Sequence, residues 1–193
     1  MNEKNQYKCL NKQRFEIGEF SLVPIREGDM MQVRIWRNEQ TKILRQNEII
    51  SEEKQIAYFS NQILPNFITD FPQQILFSFY KKNTLIGYGG LVHFRWIDSR
   101  AEISFLLDTK FISNIEIHDF YFENYLNLIQ QVGFEDLKLN RLHTEVYDTR
   151  PHHIKILENN GFILEGRLRN HIFIEGKFVD SILHGKLKSE YKF

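Results

Sequence analysis

The alternation of apolar and polar positions is clearest in the middle of the chain. Residues 74–80 are apolar and aromatic, residues 81–84 are polar, and residues 85–94 and 101–107 are again rich in apolar and aromatic side chains. Short apolar runs separated by polar turns are typical of strands joined by hairpins. This part of the sequence therefore predicts a three-stranded antiparallel meander.

Helical periodicity appears on both sides of the meander. Apolar side chains recur at helical spacing after Asp29 and again after Ser51, so two helices are predicted there. Residues 119–134 repeat apolar positions with a helical period. A short helix over 152–160 is predicted to end at Gly161, because glycine favours the position that follows a helix.

The remaining apolar runs predict strands at both ends of the chain. Strands are expected within 15–25, over 140–147 and within 162–187. The resulting order, β-α-α-β-β-β-α-β-α-β-β, predicts an α/β layer with a mixed sheet. We expect the polar residues 1–14 to form a flexible N-terminus and residues 15–193 to form a single domain.

Charge and cysteine content narrow the function classes. The 193 residues include 25 basic and 25 acidic side chains, so no overall field is expected to attract nucleic acid or an anionic membrane. No apolar run approaches the roughly 18 residues of a membrane helix. The single cysteine, Cys9, excludes an internal disulfide and a multi-cysteine zinc site. We therefore expect a cytoplasmic protein with no metal, no nucleic-acid partner and no membrane partner.

The last third of the chain carries an ordered series of short segments. They are LNRLHTEV at 139–146, IKILENNGF at 154–162, EGRLR at 165–169 and DSILHGKL at 180–187. Together with upstream segments such as IGYGG at 86–90, the series resembles the GNAT superfamily of N-acetyltransferases. It is most similar to the branch that includes ribosomal-protein alanine and amino-sugar N-acetyltransferases. The resemblance covers about residues 15–188.

The resemblance implies a GNAT-like α/β (α+β) fold with a mixed, mostly antiparallel sheet of seven strands and helices on both faces. It also implies a splay between two central parallel strands, here residues 101–107 and 140–147. Such enzymes bind acetyl-coenzyme A, their co-substrate, in this splay. The resemblance therefore implies an enzyme of the N-acetyltransferase type.

The loop that holds the pyrophosphate of the donor in this family is altered here. The family places glycines and backbone amides at the start of a helix, but no glycine occurs between Gly90 and Gly133. Aligning the helix puts His118 and Phe120 at the glycine positions, with the negative charge of Asp119 beside them. By position, the resemblance assigns donor contacts to Leu106, Leu107, Ile117, His118, Asp119, Phe120, Arg150 and His153.

Two departures near the end of the second splayed strand concern the donor as well. Arg150 and His153 occupy positions at which the family often has Asn and Ser. Arg150 offers a compensation, because a guanidinium pairs with phosphate groups in a bidentate manner. The donor site is therefore interpreted as remodelled, and a non-catalytic domain stays open as an alternative.

Two residues are candidates for catalytic proton transfer. The resemblance gives Glu102 the role of a general base that acts on the substrate ammonium through water. The alternative is an exposed or ion-paired carboxylate on an alternating strand. His184 lies at a late-strand position where relatives often carry Tyr, so it is a candidate proton donor to the thiol, with a packed core histidine as the alternative.

The acceptor is expected to bind beside the first helix. The resemblance places Trp36, Arg37 and Asn38 next to the acceptor pocket, and Tyr88 is a further candidate, although a solvated helix end and sheet packing are the alternative interpretations. The hypothesis is acetyl transfer to a primary amine, of a small molecule such as a nucleotide-linked amino sugar first and of a protein N-terminus second. A monomer or homodimer is expected. The alternatives are a non-catalytic ligand- or partner-binding domain, and an acyltransferase with a different acyl carrier.

Overall fold

Eight strands form one sheet in the order β1-β2-β3-β4-β5-β6-β8-β7. The computed structural model of the chain describes residues 5–41, 44, 46 and 48–192. The paired strands run antiparallel except β5 and β6, which are parallel. The strands are β1 (Phe15–Ile17), β2 (Phe20–Pro24), β3 (Ile75–Lys81), β4 (Thr84–Arg95), β5 (Arg100–Leu107), β6 (Arg141–Tyr147), β7 (Ile163–Ile174) and β8 (Lys177–Leu187).

This sheet confirms the predicted fold class, with eight strands in place of seven. The additional strand arises because the predicted first strand is folded into a hairpin, in which Phe15 pairs with Leu22 and Ile17 with Phe20. Gly18 lies in the turn with a φ of 55°, a backbone conformation that glycine adopts without steric cost. The hairpin therefore follows from one glycine inside an otherwise strand-like segment.

The helices are α1 (Met30–Glu39), α2 (Glu52–Tyr58), α3 (Leu64–Phe67), α4 (Ile115–Gln130) and α5 (Pro151–Asn159). A π-helical turn joins α2 to α3. Ser51 caps α2, as its position before the helical pattern predicts, and accepts a hydrogen bond of 3.2 Å from the amide of Lys54. Among the described helices, none combines the length and the apolar character that a membrane crossing needs.

Helices pack on both faces of the sheet, as predicted. Leu106 of β5 packs in one buried cluster with Trp36 of α1. The adjacent Phe105 stacks near Phe122 and Tyr125 of α4, with ring centroids 4.8 and 4.6 Å apart. Because neighbouring residues of a strand point to opposite faces, α1 and α4 lie on opposite sides of β5.

Part of the segment 1–14 packs against the core. Tyr7 is 1% exposed, and its ring lies 4.3 Å from that of Phe67. Its hydroxyl accepts a hydrogen bond from the amide of Leu76 and donates one to the carbonyl of the same residue. This packing differs from the flexible terminus predicted there, because the buried side chains of Tyr7 and Leu10 anchor a mostly polar segment.

Candidate active site

The strands β5 and β6 pair over three positions only and then separate. Arg100 pairs with Arg141, Ala101 with Leu142 and Glu102 with His143, and no pairing follows toward Leu107 and Tyr147. On its outer side β5 stays paired with β4, and β6 stays paired with β8. The separation is the predicted splay, and Glu102 is the last paired residue before it opens.

A cavity of about 1100 Å³ occupies the splay and the space under α2 and α3. Its walls are polar near the helices, where Gln62, Asn66 and Gln74 contribute amides. Toward the splay they include Ser104 of β5 and Thr144 of β6. The cavity therefore consists of an open chamber under α2 and α3 that continues into the gap between the two strands.

Glu102 lines this cavity, as its predicted role requires. Its side chain is 16% exposed, and its Oε2 lies 2.8 Å from Nδ1 of His93. His93 itself is largely exposed and also borders the cavity. A carboxylate that is nearly buried, yet accessible from the cavity and linked to a histidine, is suited to accept a proton from a bound amine.

Glu145 is a second carboxylate in the cavity wall that the sequence analysis did not single out. It lies on β6, two residues beyond His143, and its Oε1 is 3.3 Å from Nδ1 of His171. Alternate residues of a strand share a face, so Glu145 points to the same side as His143, the partner of Glu102. This alternation along β6 is the signal in the sequence that could have identified Glu145.

The four predicted acceptor residues separate into two groups. Arg37 and Tyr88 line the cavity, and burial raises the pKa of the Tyr88 hydroxyl. Trp36 is 2% exposed and packs in the cluster with Leu106, so it faces the sheet. Asn38 bridges to the loop before α2 and hydrogen bonds with both the amide and the carbonyl of Ile50. Neither Trp36 nor Asn38 is part of the cavity wall.

Helix α4 begins four residues earlier than the periodicity predicted. Asn114 is its N-cap and accepts a hydrogen bond of 3.1 Å from the amide of Ile117. The predicted donor loop is therefore the first turn of a helix. The amides of Asp119 and Phe120 lie inside that helix, where each donates to a carbonyl four residues back, so they are not available to a phosphate.

The side chains of this first turn point in different directions. His118 is buried beside Phe105 and Phe122. Phe120 is 52% exposed and packs its ring against Phe20 on the outside of the sheet. Of the two residues at the expected glycine positions, His118 is thus buried near β5 and borders a small cavity, whereas Phe120 does not.

A second, small cavity of about 30 Å³ lies at this end of the splay. Its wall includes Leu106, Leu107, His118 and Arg150, four of the predicted donor contacts. This volume is comparable to that of one water molecule. This space beside the start of α4 is therefore small in comparison with the large cavity.

Arg150 and His153 stand between the two cavities. Arg150 precedes α5 and lines both of them, and its Nε has no hydrogen-bond partner among the described residues. Burial lowers the pKa of its guanidinium. His153 is buried, stacks on Phe122 at 3.9 Å, and has a strongly lowered pKa because of burial and the nearby Arg150. A guanidinium whose Nε is unpaired among the described residues is well placed here for an anion.

His184, the predicted proton donor, is fully buried on β8. Its partner across the sheet is Thr144, which lines the cavity, but His184 itself does not. Its Nε2 lies 3.6 Å from Glu158 of α5, and neither ring nitrogen has a hydrogen-bond partner in the part of the chain that is described. The ring therefore lies next to Thr144 in the cavity wall but does not itself line the cavity.

Comparisons with known proteins agree with this architecture. A family model described as an acetyltransferase (GNAT) domain matches residues 22–183. The structure of spermidine N-acetyltransferase from Vibrio cholerae in complex with CoA and spermine is similar, with 19% identity, a TM-score of 0.76, and coverage of 90% of this chain and 98% of that chain. A dodecameric structure of spermidine N-acetyltransferase from the same organism has 20% identity, a TM-score of 0.75, and coverage of 90% and 96%.

Proposed function

Since the chain belongs to the GNAT acetyltransferase family, we propose that it transfers the acetyl group of acetyl-coenzyme A to a primary amine of a small molecule. Family membership confirms the prediction of an acetyltransferase-type enzyme. The observation that carries the finer proposal is the position of Glu102, at the point where β5 and β6 separate and in the wall of a cavity of about 1100 Å³.

The acceptor is best described as a cationic amine. Glu102 and Glu145 both face the cavity and are each about 16% exposed, so a bound ammonium group would meet two partly desolvated carboxylates. Amide side chains such as Gln62 and Gln74 line the same cavity. The similar Vibrio cholerae structures are of a spermidine N-acetyltransferase, which supports a di- or polyamine as the first acceptor class to test.

In the proposed reaction the neutral amine nitrogen attacks the thioester carbonyl. Glu102 accepts a proton from the amine, directly or through one water, and the C–N bond forms as the C–S bond breaks. Backbone amides of β5 beyond Glu102, freed from β6 by the splay, polarise the carbonyl. The leaving thiolate takes a proton from water and Glu102 returns its proton to the hydroxide that forms, since His184 does not line the cavity.

Donor binding in this proposal relies on Arg150 in place of the glycine loop. The first turn of α4 is capped by Asn114 and lacks glycine, whereas the guanidinium of Arg150 borders both cavities. A guanidinium binds phosphate oxygens through two parallel hydrogen bonds. Arg150 is therefore the residue that we assign to the phosphates of the donor.

A nucleotide-linked amino sugar is the second acceptor class, and Arg37 favours it. Its guanidinium lies in the chamber wall beside Tyr88, where a phosphate group of such an acceptor would find a cation. The two classes differ in charge, because a polyamine should be repelled by Arg37 and a phosphorylated acceptor should be attracted to it. Replacing Arg37 with Ala should therefore affect them in opposite directions.

The proposal is tested by calorimetry with acetyl-coenzyme A and by thiol release with a panel of acceptors. The panel contains spermidine, a simple monoamine, a nucleotide-linked amino sugar and a peptide with a free N-terminus. Micromolar donor binding with thiol release on one of the small amines is the expected result. Donor binding without release on any amine would favour the non-catalytic alternative, and no binding at millimolar donor would reject acetyl-coenzyme A.

The oligomeric state stays a prediction of monomer or homodimer. Sedimentation of the purified chain tests it, and a larger assembly, as in the dodecameric Vibrio cholerae structure, would contradict it.

A further inference from the structure

Three potential metal ligands meet where the first turn of α4 approaches the start of α5. Oδ1 of Asp119 lies 3.0 Å from Nδ1 of His118 and 2.8 Å from Nδ1 of His152. The three ligand atoms are all within 4.8 Å of one another, and the residues form the only such group of three found among the described residues. We name this group the His-Asp-His cluster.

From these contacts we propose that the His-Asp-His cluster is a site for a divalent cation of the Zn²⁺ type, which holds the phosphates of the acyl donor together with Arg150. The inference rests on the proposed use of acetyl-coenzyme A. It departs from the expectation of no metal, because Asp119 is separated from His152 by 33 positions in the sequence, and only the packing of α5 against α4 brings them together.

The chemistry of the cluster suits such an ion. Two imidazole nitrogens and one carboxylate oxygen are ligands that Zn²⁺ accepts, and three protein ligands leave a position open for another group. With metal–ligand bonds of about 2.0–2.1 Å, ligands of a tetrahedral site are about 3.3 Å apart. The separations of 2.8 and 3.0 Å between Asp119 and the two imidazoles are close to this spacing, and the separation between the imidazoles, within 4.8 Å, has to adjust to it.

The location of the cluster connects it to the donor. His118 and His152 border the small cavity of about 30 Å³, together with Arg150. This volume is large enough for one water-sized group. The sequence resemblance places the pyrophosphate loop at His118 and Phe120, so the cluster occupies the position of the missing glycine loop.

Charge balance explains why the ion and the donor would need each other. Without an ion, the carboxylate of Asp119 repels a phosphate at short range, and Arg150 alone offsets it. With a divalent ion, the cluster and Arg150 carry excess positive charge close together, which is favourable only when an anion lies between them. A diphosphate meets this requirement, so binding of the ion and binding of the donor should each strengthen the other.

The competing explanation is a hydrogen-bonded cluster that only stabilises the fold. Asp119 would then accept one hydrogen bond from each imidazole, which satisfies all three groups without an ion. The two explanations differ in their response to metal, since a purely structural cluster binds none.

Titration of the metal-free full chain with Co²⁺ tests the site directly. We expect visible d–d absorption of a four- or five-coordinate ion that saturates at one Co²⁺ per chain and is displaced by Zn²⁺. Asp119→Asn and His152→Asn should each weaken Co²⁺ binding at least about 100-fold, because outer partners of metal ligands already change affinity by 10- to 100-fold. Absence of the absorption in the folded wild-type chain would overturn the site.

A matched control uses another histidine that contacts a carboxylate. His171 lies 3.3 Å from Glu145 but belongs to no three-ligand group within the described residues. His171→Asn should leave the Co²⁺ spectrum unchanged. If it removes the spectrum as completely as His152→Asn does, the His-Asp-His cluster is not the site. Circular dichroism of each variant verifies that the fold is retained.

Linkage to the donor is measured with desulfo-coenzyme A, which lacks the thiol that would itself bind Co²⁺. Its dissociation constant should fall at least about 10-fold when Zn²⁺ replaces EDTA in the buffer, and Asp119→Asn should abolish this difference. Equal affinity with and without Zn²⁺ would reject the bridging role and leave the proposed acetyl transfer intact. Co²⁺ binding without any donor binding would retain the metal site and reject the donor.

Discussion

The two ends of the splay between β5 and β6 are built in different ways. At the acceptor end, Glu102 and Glu145 border an open chamber that belongs to a cavity of about 1100 Å³. At the donor end, His118 is buried against Phe105 and lines a separate space of about 30 Å³. One pair of strands thus forms a wide opening on one side and a narrow one on the other.

The difference arises because strands shape one end and a helix start shapes the other. The acceptor end forms because β5 and β6 are no longer paired after Glu102. The gap is therefore a feature of the two backbones. The donor end depends on where α4 begins. Asn114 caps the first turn of α4, where the resemblance places the glycine loop of the family. The comparison teaches that the acceptor end depends on strand pairing, whereas the donor end depends on where a helix starts.

The largest expected effect tests the acceptor end. Glu102→Gln should lower kcat roughly 100-fold or more, because loss of a general base removes about that much rate enhancement. Steady-state thiol release with the best acceptor measures it. His93→Asn is the control: it removes the partner of Glu102 but keeps the carboxylate, so its effect should be clearly smaller. An unchanged kcat in Glu102→Gln would remove this residue from the mechanism.

The next effect tests the donor end. Arg150→Ala should weaken acetyl-coenzyme A binding about 30-fold, since hydrogen bonds to charged groups contribute roughly 2 kcal/mol. Isothermal calorimetry gives the dissociation constant. Arg37→Ala, an arginine at the opposite end of the cavity, is the matched control and should leave donor affinity unchanged. Equal donor affinity in both variants would show that Arg150 does not replace the glycine loop.

A smaller effect distinguishes acceptors within the chamber. Glu145→Gln should raise the KM for a di- or polyamine about 10-fold, because one charged hydrogen bond to the distal ammonium is lost. The kcat should change little, since the proposed base is still present. A monoamine serves as the internal comparison and should show no such rise. A uniform change for both amines would mean that Glu145 does not select the acceptor.

The smallest effect concerns the helix start itself. Asn114→Ala should lower the free energy of unfolding by about 1 kcal/mol, the usual loss when an N-cap is removed, as measured by urea denaturation. Ser51→Ala removes the corresponding cap of α2 and should cost a similar amount. Only the change at Asn114 should alter donor affinity. No loss of stability would mean that Asn114 does not fix the start of α4.

The fold was largely predictable because its signals are local. The meander over 74–107 and the helix after Ser51 follow from periodicity and capping, and both are present in the structure. Glu102 and Arg37 were identified by family resemblance and do line the cavity. Trp36 directly precedes Arg37 on α1 but faces the core, because consecutive positions on a helix point about 100° apart.

What the sequence determined by itself is the order of elements and the absence of a glycine loop, because each depends on residues close together in the chain, whereas the splay was implied by the family resemblance. The tertiary structure alone decided where α4 begins and which groups meet there. Asn114 and Asp119 are both good helix caps, and packing of His118 against Phe105 and Phe122 accompanies the earlier start. The contact of Asp119 with His152 requires α5 to pack on α4, and no local pattern encodes it.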